Sequence, residues 1–220
     1  MTETEELYLR VIWAMTRDGQ GARTGALATK LGVSGPSVSA MLTRLSNAGV
    51  TERTADRRVR LTLPGEAEAL RVVRRHRLLE TFLYRVVGLP LHELHAEADR
   101  LERGISERLE ARISELLGDP STDPHGDPIP RSGHAHREQR GECLADVTVG
   151  KRFRVERVSD VDPEALRHLA ELHILPGVVL RVEARDAFGG PLWIRRGRSR
   201  VSLPPALTRL VHGSTLPSEP

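Results

Sequence analysis

The stretch RRHRLLETFLYRVVGLPLHELHAEADRLE, residues 74–102, decides the reading of this chain. Leu, Phe and Val recur at helical spacing on both sides of a Gly88-Leu89-Pro90 break. At the edge of that apolar face stand His76, Glu80, His95, Asp99 and Glu102. Residues 76 and 80 are one turn apart, and 95, 99 and 102 form an i, i+4, i+7 row, so each set projects from one side of its helix. Solvated helix faces usually mix Arg, Lys and Glu; the histidines and acids here are spaced differently. Spacing alone still favours an ordinary wet edge.

The frame around that stretch is a globular one. The chain has 220 residues, 39% hydrophobic and 29% charged, enough for one large domain or two to three small ones. No apolar run approaches the ~18 residues that span a bilayer. The start, MTETEELYLR, is acidic and lacks a signal-peptide core, so a cytoplasmic location is expected. A single cysteine, Cys143, excludes an internal disulfide framework and a cysteine-rich zinc site. The pI is about 9.6, yet the net charge is only +3. Between Gly19 and Leu63 lie seven cations (Arg23, Lys30, Arg44, Arg53, Arg57, Arg58, Arg60) against Glu52 and Asp56, which concentrates the positive charge in one segment. Such a patch suits phosphates.

That segment reads as helix, helix, helix, hairpin. Leu7, Tyr8, Val11, Ile12 and Met15 give the first helix, closed at Asp18-Gly19. Thr24 caps a short second helix that Gly32 ends. Ser34 caps a third, with Pro36 in its first turn. Val38, Met41, Leu42 and Leu45 face inward there, while Ser34, Ser37, Ser39, Thr43 and Arg44 face out, small groups that let a helix approach base edges. Val59, Leu61 and Leu63 then alternate with Arg58, Arg60 and Thr62 as a strand with one cationic side, turned at Ala55-Asp56. Helix-turn-helix plus basic wing predicts DNA binding through Arg23, the third helix and Arg57, Arg58 and Arg60.

From Pro64 the next region is two helices, the second expected to run from Leu91 to Leu117 with the stripe Leu91, Leu94, Ala98, Leu101, Ile105 and Leu109. This much apolar surface calls for a partner, and a homodimer covering two half-sites of a palindromic operator is the economical one. Residues 118–143 form a Pro/Gly/His-rich linker. After it RFRVERV, PGVVLRVEARD, PLWIRR and SRVSLP alternate as four short strands, with a helix Pro163 to His173 between the first two and a Gly189-Gly190 hairpin, a small β-barrel of the SH3 type. The chain is thus expected to be α+β: winged helix-turn-helix over 1–63, helical dimerisation domain over 64–117, linker, SH3-like domain over 144–213 and a tail.

ELYLRVIW, SGPSVSAM, RRHRLLE, HAEADRLE, DPHGDPIP and HILPG together resemble the diphtheria-toxin-repressor family of iron- and manganese-dependent regulators, in the right order along nearly the whole chain. The third domain resembles the small ferrous-iron-transport accessory proteins. The resemblance implies a dimeric, metal-switched DNA-binding protein. It places the family's ancillary site on His76, Glu80 and His95, with further ligands at Asp123 or His125 and at Asp160 or Asp162. The primary site falls on Leu7, Asp99, Glu102 and Arg103, where two ligand positions are lost. Either that site is dead, or Asp99, Glu102 and an acid such as Glu3 or Glu6 rebuild it, or Arg103 pairs with Glu102 in place of metal. Carboxylates and imidazoles without sulfur suit Mn²⁺ first and Fe²⁺ second, with Zn²⁺, Co²⁺ or Cd²⁺ binding in vitro. The remaining histidines, among them His92, His134, His136, His168, His173 and His212, read as surface or core-edge residues.

Two other classes were weighed. HELH at 92–95 is one residue short of HExxH, so its histidines turn off the face that zinc needs, and a metal-dependent hydrolase is a weak reading. A winged-helix sensor of an organic ligand would want an aromatic pocket, and 3% aromatic content offers little. No enzyme activity is expected.

Overall fold

The structure is a computed structural model that describes residues 1–16, 21–131 and 141–217. The expected helix stop at Asp18-Gly19, and His134 and His136, lie outside these residues. Two compact units result, one of residues 1–76 with the described residues 129–131, the other of residues 77–128 with the C-terminal region; the division falls within one helix. Among the described residues no helix is long and apolar enough to cross a membrane.

In the first unit α1 (Glu3–Thr16), α2 (Thr24–Leu31) and α3 (Gly35–Asn47) precede a two-stranded hairpin, β1 (Thr51–Arg53) and β2 (Val59–Leu61). The buried side of α1 is Tyr8, Leu9, Ile12 and Trp13, about a third of a turn from the expected face. These pack with Leu27, Val38, Leu42, Leu45, Val50 and Val59 in one core. Ser34 caps α3 as expected, its hydroxyl accepting from the Ser37 N–H. For α2 the cap position is Arg23, not Thr24, and Gly32 ends it in the left-handed region. Leu63 is not part of the wing strand: it begins α4 (Leu63–Phe82) and is 84% exposed. The reason is local. The Thr62 hydroxyl accepts from the Gly65 N–H, and Gly65 lies so close to Val50 that a Cβ would stand 1.8 Å from its carbonyl oxygen.

In the second unit the end of α4 passes through one wide turn, Leu83–Val87, to a left-handed Gly88. The single helix expected over 91–117 is instead three pieces: a 3-10 turn at Leu91–Glu93, α5 (Leu94–Leu101) and α6 (Glu107–Leu116). A 3-10 turn at Glu102–Gly104 and an extended Ile105 break the run, and Ser106 caps α6 by accepting from the Leu109 N–H. The apolar stripe therefore holds only through Ala98. Leu101, Leu109 and Leu116 are exposed, as are Val86 and Val87.

The C-terminal strands form one six-stranded antiparallel sheet, ordered β3 (Glu142–Cys143), β8 (Val211–Leu216), β4 (Arg152–Val158), β5 (Val179–Arg185), β6 (Leu192–Arg196), β7 (Ser199–Leu203). Four of these strands were expected; β3 and β8 were not. Phe153, Val155, Leu180, Val182 and Ile194 fill its inner side. α7 (Pro163–Glu171) follows β4 and packs on the Leu91–Glu93 turn, and a short α8 (Pro205–Thr208) precedes β8. The α+β architecture thus stands as expected.

Candidate metal centre

The site is built from the loop Asp123-Pro124-His125-Gly126-Asp127-Pro128. Pro124 fixes the first corner of a turn closed by the Gly126 N–H on the Asp123 carbonyl at 3.1 Å. Asp123 Oδ1 accepts from the His125 and Asp127 N–H groups, both at 2.9 Å. Gly126 has φ +90°, and a Cβ there would meet the Glu156 carbonyl oxygen at 1.9 Å, so only glycine lets the loop lie on β4. The Val158 N–H donates to the His125 carbonyl at 2.9 Å and completes the attachment.

A buried charge pair holds the loop from below. Arg77 donates to the Pro128 carbonyl at 2.6 Å and stands 3.4 Å from Asp127 and 3.6 Å from Asp123. Arg157 donates to Asp127 Oδ1 at 2.8 Å. Neither arginine, nor Asp127, was singled out from sequence.

Above this base sits an acid-rich cluster. Glu80 is 1% exposed, with Oε1 3.3 Å from His95 Nδ1 and Oε2 3.8 Å from His125 Nδ1. Asp160 Oδ2 lies 3.6 Å from the same His95 Nδ1, and Asp99 Oδ2 lies 3.8 Å from its Nε2. Glu80, Asp123 and His125 each offer an atom within 4.8 Å of the others, and so do the carboxylates of Asp99 and Glu102. Asp162 is elsewhere: it caps α7, accepting from the Glu164 and Ala165 N–H groups. Of Asp160 and Asp162, it is Asp160 whose carboxylate stands beside His95.

The fit to a cation rests on one atom. His125 Nε2 lies 3.3 Å from the Leu91 carbonyl, and in a neutral ring that donates there Nδ1 carries the lone pair. That Nδ1 is buried and has no hydrogen-bond partner, and it faces a carboxylate oxygen. A lone pair opposed to an anion is unfavourable, and either a proton or a metal cation between them relieves it. Burial, followed by the nearby charges of Glu80 and Asp127, raises the Asp123 carboxyl well above the usual carboxylate range, against the pull of Arg77.

His76 stands one turn before Glu80 on α4 and is buried. Its Nδ1 accepts from Arg10 Nη1 at 2.6 Å, a contact the sequence reading missed. Glu6, one of the acids considered for rebuilding the second site, is taken by Arg71 at 2.7 Å and Arg75 at 3.3 Å. Leu7 is half-buried and Arg103 exposed.

Of the expected DNA-contacting residues, Ser34, Pro36, Ser37, Ser39 and Thr43 all lie on or cap α3. Ser34 and Ser37 share a hydroxyl–hydroxyl bond of 2.7 Å, and Thr43 donates to the Ser39 carbonyl. The wing cations are not bare. Arg60 pairs with Glu52 across the hairpin at 2.7 Å, Arg58 with Asp56 at 2.8 Å, and Arg44 with Glu5 at 2.8 Å. Arg57 sits at the exposed turn with φ 61°.

Three family models match the chain: the N-terminal DNA-binding domain of iron-dependent repressors over residues 1–59, their metal-binding and dimerisation domain over 62–131, and the FeoA domain over 143–213. The iron-dependent repressor IdeR of Mycobacterium leprae is 33% identical over 96% of both chains. The diphtheria toxin repressor of Corynebacterium diphtheriae is 35% identical over 84% of this chain and 87% of its own. A solved manganese-dependent transcriptional repressor in complex with manganese is similar at 35% identity and a TM-score of 0.85, covering 96% of this chain and all of that one. The manganese regulator SloR is similar at 28% identity, a TM-score of 0.76 and 94% of this chain.

Proposed function

Because this chain belongs to the iron-dependent repressor family, whose members are metal-dependent transcriptional repressors and not enzymes, we propose that manganese is the ion that switches it. Glu80, His125 and Asp160, with His95, would hold that ion, and His76, one turn before Glu80 on α4, would join them. Asp123 orients His125 and lends charge. The ion would supply positive charge among these carboxylates. All donors are oxygen or imidazole nitrogen, which favours Mn²⁺, then Fe²⁺, with Zn²⁺, Co²⁺ and Cd²⁺ as in-vitro substitutes. Asp99 and Glu102 form the nucleus of a second, weaker position.

The single observation that carries this reading is the partnerless Nδ1 of His125 facing Glu80. Its switching logic follows from where the residues sit. Glu80 and His95 come from the helices, His125 from the loop, and Asp160 from the segment between β4 and α7. Anything that favours their convergence favours the one arrangement of these elements that brings them together, and only such a difference in affinity drives a switch. The output is a homodimer that reads a palindromic operator with α3 and the Arg57–Arg60 wing, acting in the cytoplasm on metal-uptake genes.

The test is an operator-binding titration with and without manganese. Glu80→Ala and His125→Ala should abolish the manganese dependence while leaving the dimer folded. A His125→Ala protein that still responds to manganese would place control elsewhere, at Asp99 and Glu102.

A further inference from the structure

The outer side of the C-terminal sheet carries a row of like charges. In the registers of β4, β5, β6 and β7, Arg152 faces Arg181, Arg181 faces Arg195, and Arg195 faces Arg200. Their strand neighbours Phe153, Leu180, Val182 and Ile194 are fully buried, so the alternation of a strand turns the arginines away from the core. Arg154, two residues beyond Arg152, lies on the same side and is exposed. Like charges directly opposite in a sheet destabilise it, and here the pairing repeats across four adjacent strands. Glu183 pairs with Arg195 and with Arg200 at 3.2 Å, and the Arg200 guanidinium stacks 4.3 Å from the Trp193 ring centroid. One carboxylate thus serves several arginines, and its carboxyl is held below the usual range, chiefly by the hydrogen bond from Arg195.

We infer that this face is a second contact surface for the phosphate backbone of duplex DNA, separate from α3 and the wing. Strands ~4.8 Å apart make a four-arginine row about 14 Å long. Each strand of a duplex offers a phosphate per ~3.4 Å of axis, so the row matches a short run of phosphates. Guanidinium is the side chain best shaped for phosphate oxygens, taken two at a time. DNA is the polyanion this chain meets as a repressor, and the inference rests on that reading.

The experiment uses the full-length protein with manganese and an operator duplex, with the binding constant measured across a salt series. Arg154→Gln with Arg181→Gln removes one row charge and one exposed charge beside the row, and leaves the Glu183 pairs intact. Each lost phosphate contact flattens the log–log salt slope by ~0.9, so the double variant should be shallower by about 2. Arg154→Lys with Arg181→Lys should keep the slope, and manganese binding and dimerisation should match wild type in both. An unchanged slope in the glutamine variant overturns the inference, and leaves the face to an acidic protein or anionic lipid. If the wild type itself shows no metal-dependent operator binding, the repressor reading fails and takes this inference with it.

Discussion

Asp127→Asn is the substitution whose consequences follow most fully from the geometry. It keeps the shape of the side chain but removes the negative charge between Arg77, buried at 5% exposure, and Arg157. Breaking a buried ion pair by deleting one partner costs about 3–5 kcal/mol, because the other charge is left uncompensated. Arg77 retains the Pro128 carbonyl and Asp123, and Arg157 is partly exposed, so the lower end applies, about 3 kcal/mol. In a chain of this size that lowers the melting temperature by roughly 6–12 °C. The same loop carries His125, and loss of a supporting contact behind a ligand typically weakens metal binding by about 10–100-fold. Thermal melts of the metal-free protein and a manganese titration read the two effects separately. A cycle with Arg157→Gln should show that the two changes are not additive. If Asp127→Asn melts within about a degree of wild type and binds manganese equally well, the charge pair does not hold the loop, and the reasoning is wrong.

Other perturbations test neighbouring parts of the account. Gly126→Ala must place a Cβ on the Glu156 carbonyl at φ +90°, so the loop should leave β4 and manganese affinity should fall by at least the factor expected for Asp127→Asn. An unchanged affinity would mean that the loop does not position His125. For pH, the Asp123 carboxyl is raised in the folded metal-free protein. Stability from that protonated group is complete below the unfolded value of about 3.9 and is lost as pH rises through the folded value. A bound cation relieves this loss, so the gain in melting temperature on adding manganese should grow with pH across that window; a flat gain would contradict it. Leu109→Glu with Leu116→Glu changes two exposed leucines of α6, so the monomer should stay folded while the dimer dissociates in sedimentation. A persistent dimer would move the interface off this helix.

The winged unit was legible because each signal is local. Helical spacing, the Ser34 cap and Gly32 sit within a turn of what they specify. The break after α5 was signalled too, by Gly104 and by Ser106 as a cap, but Leu101, Ile105 and Leu109 continued the helical period and masked it. The strand β8 was hidden by Gly213, which reads as a turn. It is glycine because a Cβ would stand 1.9 Å from the Arg154 carbonyl oxygen of the adjoining strand. In the site, His76, Glu80 and His95 were readable from spacing and family likeness together. Asp160 and Asp162 stayed open in the sequence, although Asp162-Pro163 is a helix start, a signal that assigns Asp162 to capping. Arg77, Asp127 and Arg157 were out of reach, since their meaning lies in a pairing between segments far apart in the chain.

Anomalous diffraction at the manganese edge, from crystals of the manganese-loaded protein bound to operator DNA, tests the central claim most directly. The account predicts an ion touching Glu80 and His125 Nδ1, with Asp160 in its coordination shell. An ion found only on Asp99 and Glu102, with His125 Nδ1 left without one, would contradict it.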